Sequence, residues 1–311
     1  MTVTGRTDFN SYCVISVWFG CNNRCDICML STVPDRLEGL PFERYQEVIR
    51  DLAREGRFKN LILSGGEVTT FNDLGRYARL AASLGCFEKI QIQTNGRKLA
   101  DKGYLDSLID SGINEFFVSV QGLEKGHDAT TGAPGSFRET MEGIENLRSH
   151  SATVITNTVL TRANLADVPG LIHFLAGGPV HEMQVWNYFP MERTDRHNRI
   201  VPLEDVVSLF PDLVAASRHA GKPIVLKSFP HCLSAEAPVV FDSKFPATVL
   251  PDRFWRQFGE CGFGQCFYRK TGQCGLKECW GLSSAYMEKY GDDRELLQPM
   301  EEKGGKDGIV E

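Results

Sequence analysis

No stretch of this 311-residue chain approaches the roughly 18 uninterrupted apolar residues that a membrane helix requires. A basic excess is missing too. Acidic side chains number 40 against 34 basic ones, and at a net charge of −6 nothing points to a nucleic-acid binder acting through bulk charge. The opening residues, MTVTGRTDFNSYC, lack the basic-then-apolar pattern of a secretory signal, so a cytoplasmic protein with neither membrane nor nucleic-acid partner is expected. In that setting the ten cysteines are expected as metal ligands or buried thiols rather than disulfides. Cysteine is itself absent between Cys86 and Cys232. Cys13 and Cys86 stand alone in apolar surroundings and read as buried small hydrophobes. The other eight fall into two groups, Cys21, Cys25 and Cys28, then Cys232, Cys261, Cys266, Cys274 and Cys279. Two thiol-rich sites therefore flank a thiol-free scaffold.

That scaffold alternates. β-Branched or aromatic runs occur at 14–19, 60–64, 89–94, 115–120, 153–160 and 182–188, and amphipathic stretches separate them. In PFERYQEVIRDLAREG, Pro41 takes a first helical position and Phe42, Tyr45, Val48, Ile49 and Leu52 share one face. Ser136 and Glu139 have the spacing of a capping box, and Gly85 suits a left-handed helix end. Six β units with helical crossovers predict an α/β fold with parallel strands, a partial (β/α)6 TIM-like barrel, two units short of the closed form. We assign residues 1–225 to this barrel and 226–295 to a small cysteine-rich domain whose thin core calls for a metal staple. Residues 296–311 are expected as a flexible tail. The predicted strand ends carry polar or small residues, SGGE, QTNG, VQG, TNT and WNY, at the edge where parallel α/β folds bind ligands.

The sequence GCNNRCDIC places three thiols after the first strand. A disulfide uses two, and a structural zinc site takes four nitrogen or sulfur ligands. A fourth ligand is missing nearby, the closest histidine being His127 at another strand end. Three thiolates on an iron–sulfur cube leave one iron open.

Cys21-x3-Cys25-x2-Cys28 followed by LSGGE resembles the radical S-adenosylmethionine (SAM) superfamily, and QTNG, VSVQG, TGAPGSF and TNTVLTRAN are similar to its later strand ends. The resemblance implies an enzyme whose [4Fe–4S] cluster sits on the three thiolates. Its fourth iron would chelate the amino and carboxylate groups of SAM, and reductive cleavage would yield a 5′-deoxyadenosyl radical that abstracts hydrogen from substrate. Cluster potentials span roughly −700 to +450 mV, and this cleavage needs the low end, so a low-potential donor such as flavodoxin or ferredoxin is implied. Gly65 and Gly66 would let backbone approach a ligand closely, and Glu67 would accept from the SAM ammonium or buttress its strand end. Thr94, Asn95, Ser119, Gln121 and Asn157 are candidates for the ribose hydroxyls and the methionine carboxylate, with a structural role as the alternative for each. Ile27 departs from the pattern, since an aromatic residue often stands before the third cysteine.

The second group resembles the auxiliary-cluster (twitch) domain of some of these enzymes, with CWGLSSAYMEKYG as its closing segment. Cys232, Cys261, Cys266 and Cys279 are the favoured ligands of a second [4Fe–4S] cluster, with Cys274 in reserve. A four-cysteine zinc site is the alternative, and His231 reads as a donor beside the ligands or a surface residue.

For the substrate, Arg193, Arg196, His197 and Arg199 near the expected cavity rim suggest a clamp for an anionic group, against a solvated loop as the alternative. Trp186 and Tyr188 could stack a base or sugar or simply fill the core, and His127 and Asp128 could order their loop. A small-molecule enzyme of natural-product biosynthesis, carrying out decarboxylation or dehydrogenation of a sugar, nucleoside or amino-acid carboxylate, is the leading expectation. No winged-helix-like stretch precedes Cys21, which disfavours a peptide-modifying maturase. A non-catalytic zinc-binding interaction protein leaves SGGE and the other polar strand ends without a role.

Overall fold

A computed structural model describes residues 7–31, 37–233, 239–249 and 252–301. All six sequence-predicted strands form, as β1 (Tyr12–Trp18), β2 (Asn60–Gly65), β3 (Lys89–Thr94), β4 (Glu115–Ser119), β5 (Thr153–Leu160) and β6 (Glu182–Asn187). Three more extend the sheet, β7 (Ile224–Lys227), β8 (Val239–Asp242) and β9 (Ala247–Val249). These last strands have four, four and three residues, too short to give a periodic signal in a segment broken by Pro230, Pro238 and Pro246. The order is β8-β7-β6-β5-β4-β3-β2-β1-β9 and every pairing is parallel. β9 therefore returns to the far edge and pairs with β1, so segments beyond residue 225 contribute to both sheet edges. The expected boundary at 225 falls inside β7.

Helices α1 (Phe42–Glu55), α2 (Leu74–Ser83), α3 (Lys102–Asp110), α4 (Glu124–Thr131), α5 (Ser136–Asn146), α6 (Val168–Ala176), α7 (Leu203–Ser208) and α8 (Phe210–Ala220) run between the strands. α9 (Asp252–Gly259), α10 (Phe267–Lys270) and α11 (Ser284–Tyr290) follow β9. Pro41 caps α1 from outside rather than opening it, and Tyr45 and Ile49 are its buried residues. The capping box at Ser136 does not form. Gly135 is the cap, Glu139 turns away to Arg97, and the Asp128 carboxylate accepts from Gly135 N, Ser136 Oγ and Phe137 N. Asp128 thus orders its loop by capping α5 from a distance.

Alternation along each strand separates two environments. Cys13, Ile15, Val17, Leu61, Leu63, Ile90, Ile92, Phe116, Val118, Met183, Val185, Ile224 and Leu226 join the large core that includes helix residues such as Tyr45, Ile49, Leu105 and Leu171. Tyr12, Val14, Ile62, Phe117 and Ile155 face the other way, closed over by Phe9. That second face also buries hydrogen-bonded polar groups, with Gln91 Oε1 left without a partner among the described residues. Glu115 Oε1 accepts from Tyr12 OH at 2.7 Å and from Gln91 Nε2 at 2.8 Å, while Glu182 Oε1 accepts from Gln184 Nε2 at 2.5 Å. Lys227, fully buried on β7, pairs with Asp242 of β8 at 3.0 Å. Cys13 is buried as expected, whereas Cys86 is only half-buried. Leu297 is 2 % exposed and Met300 O accepts from Gly275 N, so packed chain runs into the segment expected as tail; residues 302–311 lie outside the described ones.

Candidate functional site

The three-cysteine loop leaves β1 and is fastened at several points. Gly66 N donates to Trp18 O at 2.7 Å and Glu67 N to Gly20 O at 2.8 Å, which docks the end of β2 under the loop. The two glycines make that contact possible. A Cβ on Gly65, whose φ is +141°, would stand 1.8 Å from Trp18 O, and one on Gly66 would stand 2.6 Å from Gly20 O. The expected close approach of backbone is therefore made to this chain's own loop. On the other side Arg24 N and Asp26 N donate to Thr131 O and Thr130 O at the end of α4.

Glu67 supplies the next fastening. It is 1 % exposed, and its Oε1 accepts from Thr69 N, Thr69 Oγ1 and Thr94 Oγ1 while Oε2 accepts from Asn95 N. Burial drives its pKa up, and these four donors oppose that by favouring the charged form. Of the two roles expected for Glu67, the buttress is what these bonds perform. Thr94 and Asn95 are held in the same knot: Gly96 N donates to Thr94 Oγ1, and Asn95 Nδ2 reaches Asn22 Oδ1 of the cysteine loop at 2.7 Å.

Gln121 Oε1 accepts from Val159 N and its backbone N donates to His127 Nδ1. Ser119 and Asn157 pair across β4 and β5, and their side chains form no hydrogen bond among the described residues. With Gln121 Nε2, these are the polar groups of the expected cofactor contacts left free among the described residues. Sequence reasoning missed Arg97. Its guanidinium donates to Asn22 O at 2.8 Å, Asn23 Oδ1 at 2.7 Å and Glu139 Oε2 at 2.6 Å, joining the loop to α5. Its position directly after QTNG was the available signal.

The thiols sense one another. Burial, then Cys28 and Cys21, push the Cys25 thiol up to about 12, while the Asn23 side-chain amide pulls it down. Asn23 N donates to Cys21 Sγ at 3.4 Å. Three neighbouring thiols, one of them accepting from a backbone amide, fit a polynuclear cluster that would take each, once deprotonated, on a different iron. Among the described residues no group of three His, Cys, Asp or Glu could hold a single metal ion. One tetrahedral zinc with Zn–S near 2.3 Å would need sulfurs about 3.8 Å apart.

The C-terminal cysteines sort differently from the favoured set. Cys232 is raised by burial and by Cys279 and Cys266, and Cys279 by burial and by Cys266 and Cys274. Cys261 stands apart: it is fully buried beside Met191 and Phe254, and its Sγ donates to Pro190 O at 3.3 Å. Burial pushes it up to about 12, with no cysteine contributing. Cys274 thus neighbours Cys279, whereas Cys261 lies in an apolar pocket that sequence spacing does not reveal. Amide groups of His231 and Gly281 face Cys279, the latter at 3.4 Å, and the His231 ring pairs with Ser243.

The arginines of the expected clamp each meet a carboxylate, Arg193 with Glu260, Arg196 with Glu192 and Arg199 with Asp26. Aromatic rings line the neighbouring space instead. Trp186, on the polar face of the sheet, meets Phe245 edge-on at 5.2 Å, Phe245 stacks on Trp280 at 4.6 Å, and Phe189 and Phe263 continue the row toward Leu30 of the cysteine loop.

His127 gives a pH prediction. It is fully buried, accepts from Gln121 N, and burial lowers its pKa to about 4. The unfolded chain takes up its proton near pH 6.5 and the folded chain only near 4, so stability falls as pH drops through that window, by up to about 3 kcal/mol. Denaturant midpoints between pH 7 and 4.5 should show this decline, and His127→Gln should flatten it.

The sequence profile of the Radical SAM superfamily matches residues 15–175. AdoMet-dependent heme synthase of Methanosarcina barkeri is 28% identical over 187 residues, covering 60% of this chain and 52% of that protein. The sporulation killing factor maturation protein SkfB of Bacillus subtilis is 26% identical over 160 residues, covering 51% and 38%. The chain thus spans about half or less of the length of these relatives. Among solved structures, Streptococcus suis SuiB bound to S-adenosylmethionine superposes with a TM-score of 0.56 at 19% identity, covering 79% of this chain and 52% of SuiB. At that identity the likeness concerns the fold.

Proposed function

The chain belongs to the radical SAM superfamily, and from that premise we propose that it is a biosynthetic enzyme that reductively cleaves S-adenosylmethionine and abstracts hydrogen from a small-molecule substrate. The observation that carries the reading is the docking of the three-cysteine loop on the Gly65-Gly66-Glu67 strand end, through Gly66 N to Trp18 O and Glu67 N to Gly20 O. Cys21, Cys25 and Cys28 would hold a [4Fe–4S] cluster. Such a cluster, when bound and reduced by a flavodoxin- or ferredoxin-like donor, supplies the electron that cleaves SAM to methionine and a 5′-deoxyadenosyl radical. Arg97 and Asn95 hold the loop in register with β3, and Ser119 and Asn157 offer unspent hydrogen-bonding groups for SAM. Trp186, Phe245 and Trp280 form an aromatic wall suited to a substrate with a flat or apolar face, a better match to the site than an anion clamp.

We assign the second cluster to Cys232, Cys266, Cys274 and Cys279, in a twitch-like unit packed beside a partial barrel. A peptide-modifying maturase is the second reading, favoured by the likeness to SkfB and SuiB.

Iron analysis after anaerobic reconstitution tests both ligand sets. About eight irons are expected in the wild type, about four in C21A/C25A/C28A, about four in C232A/C266A/C274A/C279A, and about eight in C261A. Release of 5′-deoxyadenosine under reductant should disappear in the first variant alone. A reconstituted wild type that binds no iron and releases no 5′-deoxyadenosine overturns the reading.

A further inference from the structure

We propose that Arg199 is a positioning residue for the cysteine loop, holding the Cys25–Cys28 segment through Asp26 and tying it to helix α11. The inference concerns the apoprotein's geometry and draws its catalytic meaning from the reading above. Arg199 Nη2 donates to Asp26 Oδ2 at 2.6 Å across 173 residues of sequence. Asp26 lies between Cys25 and Cys28, so its carboxylate is the handle by which that segment can be held.

An arginine grips well only if its own backbone is fixed, and this one is fixed on several sides. Arg199 N donates to Asp195 Oδ1 at 2.9 Å and Ile200 N to Asp195 Oδ2 at 2.8 Å. Arg199 O accepts from Arg162 N, and Ile200 O accepts from Tyr290 OH of α11. Lys289, also on α11, donates to Asp195 Oδ2 and to Asn198 Oδ1, both at 2.6 Å. Asn198 adopts φ +53°, a left-handed turn that asparagine tolerates better than most residues and that the Lys289 bond holds. The Arg199 side chain is 15% exposed and also lies against the Tyr188 phenol, whereas Asp26 is 49% exposed. Lys289 therefore fixes Asp195, Asp195 fixes the Arg199 backbone, and Arg199 fixes Asp26.

A half-exposed ion pair contributes little to global stability, about 0–1 kcal/mol. Its effect is local: the cysteine loop spends less time open. That separates the proposal from a general structural role and sets the measurement. In the full-length, iron-free chain, iodoacetamide alkylation of each cysteine is followed by mass spectrometry. Arg199→Gln is expected to raise the Cys25 and Cys28 rates about fivefold, the equivalent of about 1 kcal/mol, with Cys13 and the melting temperature unchanged. Lys289→Ala, which touches neither the loop nor Asp26, should raise the same two rates in the same direction. The exchange D26R/R199D should bring them back toward wild type. Unchanged rates at Cys25 and Cys28 overturn the proposal. So does a uniform rise at every cysteine with a lower melting temperature, which would mean general destabilisation. Because the readout needs neither iron nor SAM, failure of the cofactor assignment and failure of the clamp are seen in different experiments.

Discussion

Gly65→Ala should abolish the docking of the cysteine loop and destabilise the chain by at least about 3 kcal/mol. Its Cβ would lie 1.8 Å from Trp18 O and 2.9 Å from Trp18 C, contacts that backbone cannot yield without separating the ends of β1 and β2. The φ of +141° adds strain that only glycine escapes. Separation would break the Gly66 N to Trp18 O bond, and the loop would lose its floor. A control isolates sterics from backbone preference. Gly85 also has a positive φ, +64°, but a Cβ there meets nothing within 4 Å, so Gly85→Ala should cost only about 1 kcal/mol. Urea denaturation of both variants gives the comparison. Equal, small losses would mean that the β1–β2 junction is softer than its contacts indicate.

Glu67→Ala carries the second large effect, a loss of about 3–5 kcal/mol. Alanine removes the acceptor for four donors in a site that is 1 % exposed, and two of them, Thr69 N and Asn95 N, are backbone amides that cannot turn to another partner. Glu67→Gln should be intermediate. Its amide oxygen can serve one side of the knot, while its NH2 faces donors on the other; the threonine hydroxyls can rotate and accept, but the amides cannot. Denaturation midpoints in the order wild type, Gln, Ala, together with loss of iron retention in the alanine variant, would support Glu67 as the buttress of the cysteine loop. An alanine variant as stable as wild type would show that the donors find other partners and that the carboxylate serves another purpose.

Both predictions concern residues that stand out in the sequence as SGGE, yet the physical reasons for them differ from those the sequence suggests. Glycine pairs at a strand end are expected where backbone meets a ligand. Here the approaching group is the chain itself, because β2 must pass beneath the turn that follows Trp18. A glutamate at that position suggests a partner for an ammonium group, but the folded chain surrounds it with donors from 68–70 and 94–95. In each instance the residue type was legible and its partner was not.

By itself the sequence determined the alternation of strands and helices, the parallel sheet, the polar strand ends and the two separate cysteine-rich stretches, since period-2 and period-3.6 patterns and local spacing are properties of neighbouring residues. Only the tertiary structure decided the rest. It added β7, β8 and β9, whose few residues carry no period, and returned β9 to the edge of β1. It placed Cys274 with Cys232, Cys266 and Cys279 and left Cys261 in an apolar pocket. It also paired Asp26 with Arg199, 173 positions away. Contacts of that reach depend on which surfaces the packed sheet brings together, and no local pattern encodes them.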